Sequence, residues 1–375
     1  YSTIHRIDES PLQKGLIWTG SDDGLIHFTK DGGANWENVS IPDAPEYSQI
    51  YEIEPSPHDP ATAYVAISNY NTDNDYSPYL YKTSDYGKSW TNLSAAFPQD
   101  QITRTVREDK VRQGMLFVGT ETGIYTSLDD GKSWTRMSIN LPAVSVVDIK
   151  IKDNDLVIAT NGRGLWIMDD ITPLRQQSAE ISAKSAHLYP VSDHTRFGYN
   201  WWIDYVPGGD PGDKKNYFVQ NMRPGLTYYE QGFTPVNGER KRKFIDAGDP
   251  KPLGVVIYFR LSKEPQEISL TILDANGNAV RNYTKDHMTL KFGDDGTLNG
   301  GMNKFVWDMR HNMVTPVPKR PPTAIRPIVK PGTYQAQLTV DGTTETQSFE
   351  LSIDPRETYT KEDTDARYAF WMEMY

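Results

Sequence analysis

Carboxylates, one arginine and a run of aromatic side chains are the groups in this chain that could do chemistry. Asp22-Asp23, Glu121 and Asp169-Asp170 each follow a short apolar run, where a loop leaves a strand. Two such carboxylates facing across a groove, about 5–9.5 Å apart depending on mechanism, can hydrolyse a glycosidic bond. Nothing in their spacing pairs any two of them. Arg163, in Asn161-Gly-Arg-Gly164, sits on a tight loop and could reach an anionic ligand. The competing reading is a loop residue held by a salt bridge or by nearby backbone. Trp201, Trp202 and Tyr205 open an aromatic segment that continues through Tyr217, Phe218, Tyr228, Tyr229 and Phe233. Sugars and peptides both dock on aromatic platforms. The same side chains could instead form an irregular core between two domains. Arg163, Trp201, Trp202 and Tyr205 are the candidate ligand-binding residues.

Other chemistries find less support. Asn71 to Asp75 and Asp210-Pro-Gly-Asp213 offer oxygen ligands, but neither has the spacing of a calcium-binding EF-hand loop. The seven histidines show no ligand spacing, and with no cysteine there is no thiolate site and no disulfide. No phosphate-cradling glycine loop and no Gly-x-Ser-x-Gly elbow occurs. No metal and no cofactor is expected. The balance of 39 basic against 50 acidic residues gives a net charge of −11. That balance argues against nucleic acid, whose affinity rests on Lys and Arg meeting phosphates. No apolar stretch approaches the ~18 residues of a membrane span, so no membrane insertion is expected.

The elements that must position these groups are announced by an octapeptide that occurs three times. Thr29-Lys-Asp31-Gly-Gly33-Ala-Asn-Trp36, Thr83-Ser-Asp85-Tyr-Gly87-Lys-Ser-Trp90 and Ser127-Leu-Asp129-Asp-Gly131-Lys-Ser-Trp134 all read [S/T]-x-D-x-G-x-x-W. The tryptophans stand at 36, 90 and 134, and a four-stranded propeller blade takes roughly 40–50 residues. Each octapeptide is preceded by three short apolar runs. A fourth unit, Val146 to Met168, has the runs and ends at Asp169-Asp170 without the motif. The longer second unit holds a polar insertion, Asn69 to Pro78. Each motif residue has a structural role. The Asp accepts backbone N–H groups across a turn, the Gly supplies a positive φ, and the Trp anchors the turn.

After Pro173 the pattern breaks. Residues 174–250 read as an irregular, aromatic-rich connecting segment. Residues 251–356 then show about six strands of period two separated by turn signals, among them Asp274-Ala-Asn-Gly277, as in an immunoglobulin-like sandwich. Residues 357–375 read as the start of a helix. The fold class is therefore all-β: four-stranded propeller blades over 1–173, then the sandwich and a C-terminal helix.

The octapeptides resemble the Asp-box, or BNR, repeats of sialidases, sortilins and xyloglucan-specific glucanases. The layout resembles large secreted bacterial proteins, sortilin-like or "glycosyl hydrolase" in label, with an Ig-like domain of the flagellar hook-capping type behind the propeller. The second resemblance is carried by Gly254-Val-Val-Ile-Tyr-Phe-Arg-Leu261, by Gly301-Met-Asn-Lys-Phe-Val-Trp-Asp-Met-Arg310 and by Pro331-Gly-Thr-Tyr-Gln-Ala-Gln-Leu-Thr-Val-Asp-Gly342. It implies a secreted or surface-attached protein. The Arg-Ile-Pro motif of sialidases is absent from this chain. Three roles stay open: binding of a glycan or protein ligand through the propeller face, glycoside hydrolysis, and service as an accessory subunit of a cell-surface complex. Four blades are few for a ring that closes with four to eight. The chain is therefore expected to be a piece of a longer protein whose missing N-terminal part completes the propeller.

Overall fold

The computed structural model describes residues 2–137, 139–196, 254–286, 298, 300–312, 326–355 and 358–374, and the backbone of strands at 217–223, 226–231 and 242–244. The chain is mostly β and divides into two units, Tyr1–Arg175 and Gln176–Tyr375.

The first unit is a succession of propeller blades. Blade 1 is the antiparallel meander β1 (Ile4–Glu9), β2 (Ile17–Ser21), β3 (Ile26–Thr29) and β4 (Glu37–Asn38). Blade 2 repeats it with β5 (Gln49–Pro55), β6 (Ala63–Ser68), β7 (Tyr79–Thr83) and β8 (Thr91–Asn92). Blade 3 uses β9 (Thr103–Glu108), β10 (Leu116–Thr120), β11 (Gly123–Ser127) and β12 (Thr135–Arg136). Blade 4 has three strands, β13 (Val146–Lys152), β14 (Asp155–Thr160) and β15 (Leu165–Met168). The first strands lie side by side in order, β1 by β5, β5 by β9 and β9 by β13. One apolar cluster fills each joint between blades. No helix among the described residues is long and apolar enough to cross a membrane.

The octapeptides form the turns between third and fourth strands. Asp31 Oδ1 accepts the Asn35 amide, Asp85 Oδ1 that of Ser89 and Asp129 Oδ1 that of Ser133, each at 2.9 Å. The hydroxyls of Thr29, Thr83 and Ser127 donate to the same carboxylates at 2.7–2.9 Å. Each turn is also tied to the first hairpin of its own blade, as where Asp130 N donates to Gly114 O at 2.9 Å.

The same turns join blade to blade. Trp90 Nε1 donates to Val39 O of blade 1 at 2.9 Å, and Trp134 Nε1 to Leu93 O of blade 2 at 3.3 Å. Gly87 and Gly131 hold φ near +81° and +82°. A Cβ on Gly87 would stand 2.6 Å from Val39 Cβ, and one on Gly131 2.8 Å from Leu93 Cδ1. Glycine thus meets two demands there, a left-handed backbone and contact with the preceding blade. Trp36 has no preceding blade among the described residues. It donates to Gly33 O within its own turn and remains 42% exposed.

The second unit is a two-sheet sandwich. One sheet is β16 (Ala186–Leu188), β21 (Val255–Leu261) and β24 (Gly301–Trp307). The other is β17 (His194–Arg196), β26 (Thr343–Ile353), β25 (Gly332–Val340), β22 (Ile268–Asp274) and β23 (Ala279–Thr284). Period-two burial gives the core: Val255, Ile257, Phe259 and Leu261 from one sheet face Leu270, Ile272, Ala336, Leu338 and Phe349 from the other. A further sheet is formed by β18 (Tyr217–Arg223), β19 (Leu226–Gln231) and β20 (Arg242–Phe244). The stretch 174–250 therefore supplies five strands where the sequence reads as irregular. Three of them have only three residues, too few for alternation to register. The terminal helix spans Lys361–Met374, opened by reciprocal bonds between Thr360 and Asp363.

The joints make a testable contrast. Trp134→Ala should cost roughly 3–5 kcal/mol of stability, the range of large aromatic truncations, whereas Trp36→Ala should cost well under half as much. Equal losses in urea or thermal melts would contradict the blade contacts described.

Candidate functional site

An antiparallel meander sends alternate connections to opposite edges. The first-to-second and third-to-fourth turns, the latter being the octapeptides, share one edge of every blade. The second-to-third turns and the blade linkers share the other.

Of the sequence-predicted loop groups of the first unit, Asp22, Asp23, Glu121 and Arg163 fall on that second, loop edge. Asp22 Oδ1 accepts the Thr3 amide at 2.8 Å, and Asp23 accepts the Ser21 hydroxyl. Glu121 pairs with Arg104, whose guanidinium lies 4.6 Å from the centre of the Tyr51 ring. Arg163 has an exposed side chain, while its backbone shapes the turn: its amide donates to Thr160 Oγ1 at 3.2 Å and its carbonyl accepts Trp166 Nε1 at 3.0 Å. On the opposite edge, Asp170 Oδ1 caps the Thr172 amide at 3.0 Å. Asp22, Asp23 and Asp170 thus serve turns, and Glu121 an ion pair. Trp201, Trp202, Tyr205, Asp210 and Asp213 lie outside the described residues.

The polar insertion of blade 2 builds an aromatic ridge on the loop edge. It carries α1 (Tyr70–Asp73), whose C-cap Asn74 holds φ of 54°. Tyr70 and Tyr76 pack edge to face with ring centres 5.0 Å apart. Thr72 Oγ1 donates to Tyr47 O at 2.9 Å and Asn71 Nδ2 to Gln49 Oε1 at 3.2 Å, which fastens the insertion to the preceding linker. Tyr47, Tyr70 and Tyr76 are all exposed. Asp75 accepts the Tyr79 hydroxyl at 2.5 Å and the Ser77 amide at 2.9 Å, so the loop is braced from within.

A second constellation stands on the opposite edge, at the ends of the innermost strands. Strand pairing puts Asp8 opposite Trp18, Glu54 opposite Tyr64, Arg107 opposite Phe117 and Lys150 opposite Val157. These are equivalent positions in four successive blades, two acidic and then two basic. All four line a cleft of about 380 Å³ with Glu9 and Lys110. Arg107 is the hub. It reaches Glu52 at 3.0 Å, Glu54 at 2.9 Å, Asp148 at 3.0 Å and the Ile149 carbonyl at 2.7 Å. Burial pushes the Glu54 carboxyl up to about 7, with Arg107 pulling it partly back. Burial and the Glu52 charge likewise raise Asp8. The sequence hides this quartet because each member looks like an ordinary polar position of a short strand. Aligning the units on Ser10, Ser56 and Asp109, whose amides close equivalent hairpins, is the signal that finds it.

No family model and no curated protein sequence matches this chain. Among solved structures, the protein YCF48 bound to a D1 peptide aligns with TM-score 0.35 and 14% identity, over 61% of this chain and 65% of that one. An ancestral GH74 enzyme aligns with TM-score 0.35 and 14% identity, over 75% of this chain and 32% of its own. The GH74 xyloglucanase from Xanthomonas campestris aligns with TM-score 0.37 and 14% identity, over 69% and 37%. The chain thus spans less than two thirds of each of these proteins. The propeller assignment rests on the blade pairing and joints described above.

The carboxylates set opposed pH responses. Between pH 4.5 and about 7, folded Glu54 keeps a proton that the unfolded chain has released. Its contribution to stability is present below that window and falls as pH rises through it. Hydrogen bonds from Asn35 and Thr29 hold Asp31 at about 2, and bonds from Ser89 lower Asp85. Their contributions are present above the ordinary aspartate range and fall as pH drops below it. Glu54→Gln should flatten the loss of thermal stability between pH ~5 and ~7.5 and leave the acid limb unchanged. An unaltered neutral limb in melting curves would refute this account of Glu54.

Proposed function

We propose that the chain is a binding protein whose contact surface is the loop edge of its propeller blades, with the sandwich as an Ig-like spacer or docking module. The observation that carries this reading is the ridge of Tyr47, Tyr70 and Tyr76, exposed together on one edge and braced by the insertion that presents them. Tyrosine offers a rigid apolar face with a polar tip, suited to sugar rings and to peptide side chains. The ligand class is accordingly a glycan or a protein segment. On the octapeptides we assign the blades to the Asp-box class, and on their resemblance we place the protein outside the cell, secreted or surface-attached. We assign completion of the ring to further blades of the same protein.

One observation favours a second reading, glycoside hydrolysis. Glu54 is a carboxylic acid held protonated to about pH 7 in a cleft that also contains Asp8. A raised carboxyl is what a general acid requires. Against it, Glu54 is bonded to Arg107, which suits a structural hub.

The whole protein, tested on a glycan array and a peptide array with product analysis of every hit, separates these readings. Binding without product, weakened at least about tenfold by Tyr70→Ala combined with Tyr76→Ala, is the expected result. Released sugar that disappears in Glu54→Gln would replace binding with hydrolysis as the function. Binding indifferent to both tyrosines would remove the loop edge as the contact surface.

A further inference from the structure

Asn-Gly pairs occur at Asn161-Gly162, Asn237-Gly238, Asn276-Gly277 and Asn299-Gly300. In such a pair the glycine amide nitrogen, with no Cβ beside it, can attack the asparagine side-chain carbonyl. We propose that Asn161 is a site of spontaneous modification, where the folded protein converts the Asn161-Gly162 link to an aspartyl or isoaspartyl one, and that Asn276-Gly277 is held back from the same reaction by its turn. Asn237 and Asn299 lie outside the described residues. The inference goes beyond ligand binding and does not depend on it.

The step needs no reagent besides water. Gly162 N loses its proton and forms a bond to Asn161 Cγ, and the side-chain nitrogen leaves as ammonia. Water then opens the cyclic imide. Opening at one carbonyl gives aspartate. Opening at the other gives isoaspartate, whose main chain runs through the former side chain and is longer by a methylene. The reaction therefore requires a glycine amide that is not engaged elsewhere, an asparagine side chain free to turn onto it, and room for both.

Blade 4 meets these requirements at Asn161. Asn161, Gly162 and Arg163 are exposed on the turn between β14 and β15. Gly162 holds φ of 95°, and a Cβ built on it would meet nothing within 4 Å. The turn is clasped around this peptide and not through it. Thr160 N and Thr160 Oγ1 donate to Gly164 O at 3.1 Å and 2.7 Å, Arg163 N to Thr160 Oγ1 at 3.2 Å, and Asn161 N to Ser145 O at 2.9 Å. Among the described residues, neither the Gly162 amide nor the Asn161 side chain has a hydrogen-bond partner. Asn276-Gly277 is also exposed, and Gly277 holds φ of 81°. There, however, Gly277 N donates to Asp274 O at 3.0 Å. Asp274 Oδ1 also accepts the amides on either side, Asn276 N at 2.9 Å and Asn278 N at 2.8 Å. Attack would require the bonded nitrogen to leave its acceptor, which the native hydrogen bond opposes. Conversion of Asn161 puts a carboxylate beside Arg163. In the isoaspartyl form it also lengthens the chain inside the clasp from Thr160 to Gly164.

The test incubates the 375-residue chain at mildly alkaline pH, both folded and in guanidinium chloride. Each Asn-Gly peptide is then followed by digestion and mass spectrometry, with fragmentation that tells isoaspartate from aspartate. In the folded chain Asn161 should convert at least about tenfold faster than Asn276, a difference of about 1.4 kcal/mol in barrier. In guanidinium chloride the two should convert at similar rates, because the turns that distinguish them are gone. Asn161→Gln, which enlarges the ring that attack must close, should leave this position intact. The Trp166 indole N–H, bonded to Arg163 O at 3.0 Å, should shift its NMR resonance in the isoaspartyl protein. An intact Asn161 in the folded chain, or conversion of Asn276 as fast as that of Asn161, overturns the proposal. A difference that persists in guanidinium chloride overturns the structural cause. Undiminished conversion in Asn161→Gln overturns the cyclic route, and an unmoved Trp166 resonance overturns the effect on the turn.

Discussion

Each blade is held to its neighbour through the turn that closes it, and the rest of the propeller follows from that constraint. The octapeptide carboxylate ties up the turn's own amides, so the loop has one conformation before it meets anything. The glycine then adopts a backbone that side chains resist, and its bare Cα meets Val39 or Leu93 of the preceding blade. The tryptophan reaches across to a carbonyl at the end of that blade's last strand. Spacing between blades is thereby fixed by backbone contacts, and side-chain packing fills what remains. The two joints built this way, and the third between blades 3 and 4, each contain a separate apolar cluster with members from two blades.

At the axis the constraint is electrostatic. Arg107 is almost wholly buried, and a buried cation is costly unless its donors find partners. It bonds Glu52 and Glu54 of blade 2 and Asp148 and the Ile149 carbonyl of blade 4, which links three inner strands through one side chain. Three carboxylates around one guanidinium leave excess negative charge in a poorly solvated place. Burial is the main force that raises the Glu54 carboxyl toward neutrality, and the Glu52 charge adds to it against the pull of Arg107. The response of Glu54 to pH is opposite to that of the turn carboxylates, which are fully bonded only when ionised.

The blades were legible in the sequence because their closing turns are local. All the partners of Asp31, Asp85 and Asp129 lie within four residues, so one octapeptide contains the whole interaction. The sandwich strands were legible for a similar reason: alternation along Gly332–Val340 or Ile268–Asp274 is itself the burial pattern. The quartet of Asp8, Glu54, Arg107 and Lys150 was not legible, since its members are brought together only by the register of four separate inner strands. The aromatic ridge was half visible. The insertion at Asn69 to Pro78 marked the loop edge, but the packing of Tyr70 on Tyr76 follows a turn with positive φ at Asn74, and its tie to Tyr47 runs through Thr72, a contact distant in sequence. The loop carboxylates that looked chemically available are occupied by amides, hydroxyls or Arg104, because a tight turn at a strand end uses such groups first.

The two edges of the blades therefore have different freedoms. On the octapeptide edge each turn is bonded to its own hairpin, and those of blades 2 and 3 also to the preceding blade, so a change there disturbs a joint. On the loop edge the connections are tied mainly to themselves, and blade 2 accepts a long insertion without altering its four-strand pattern. Recognition can be built on that edge without loosening the frame, which is where the tyrosines stand. The axial cleft belongs to the other edge and is held by the hub that sets the spacing of the inner strands. A catalytic acid there would have to change protonation with each turnover inside the interaction that organises the axis. That conflict is the physical reason for preferring the loop edge as the working surface and Glu54 as part of the frame.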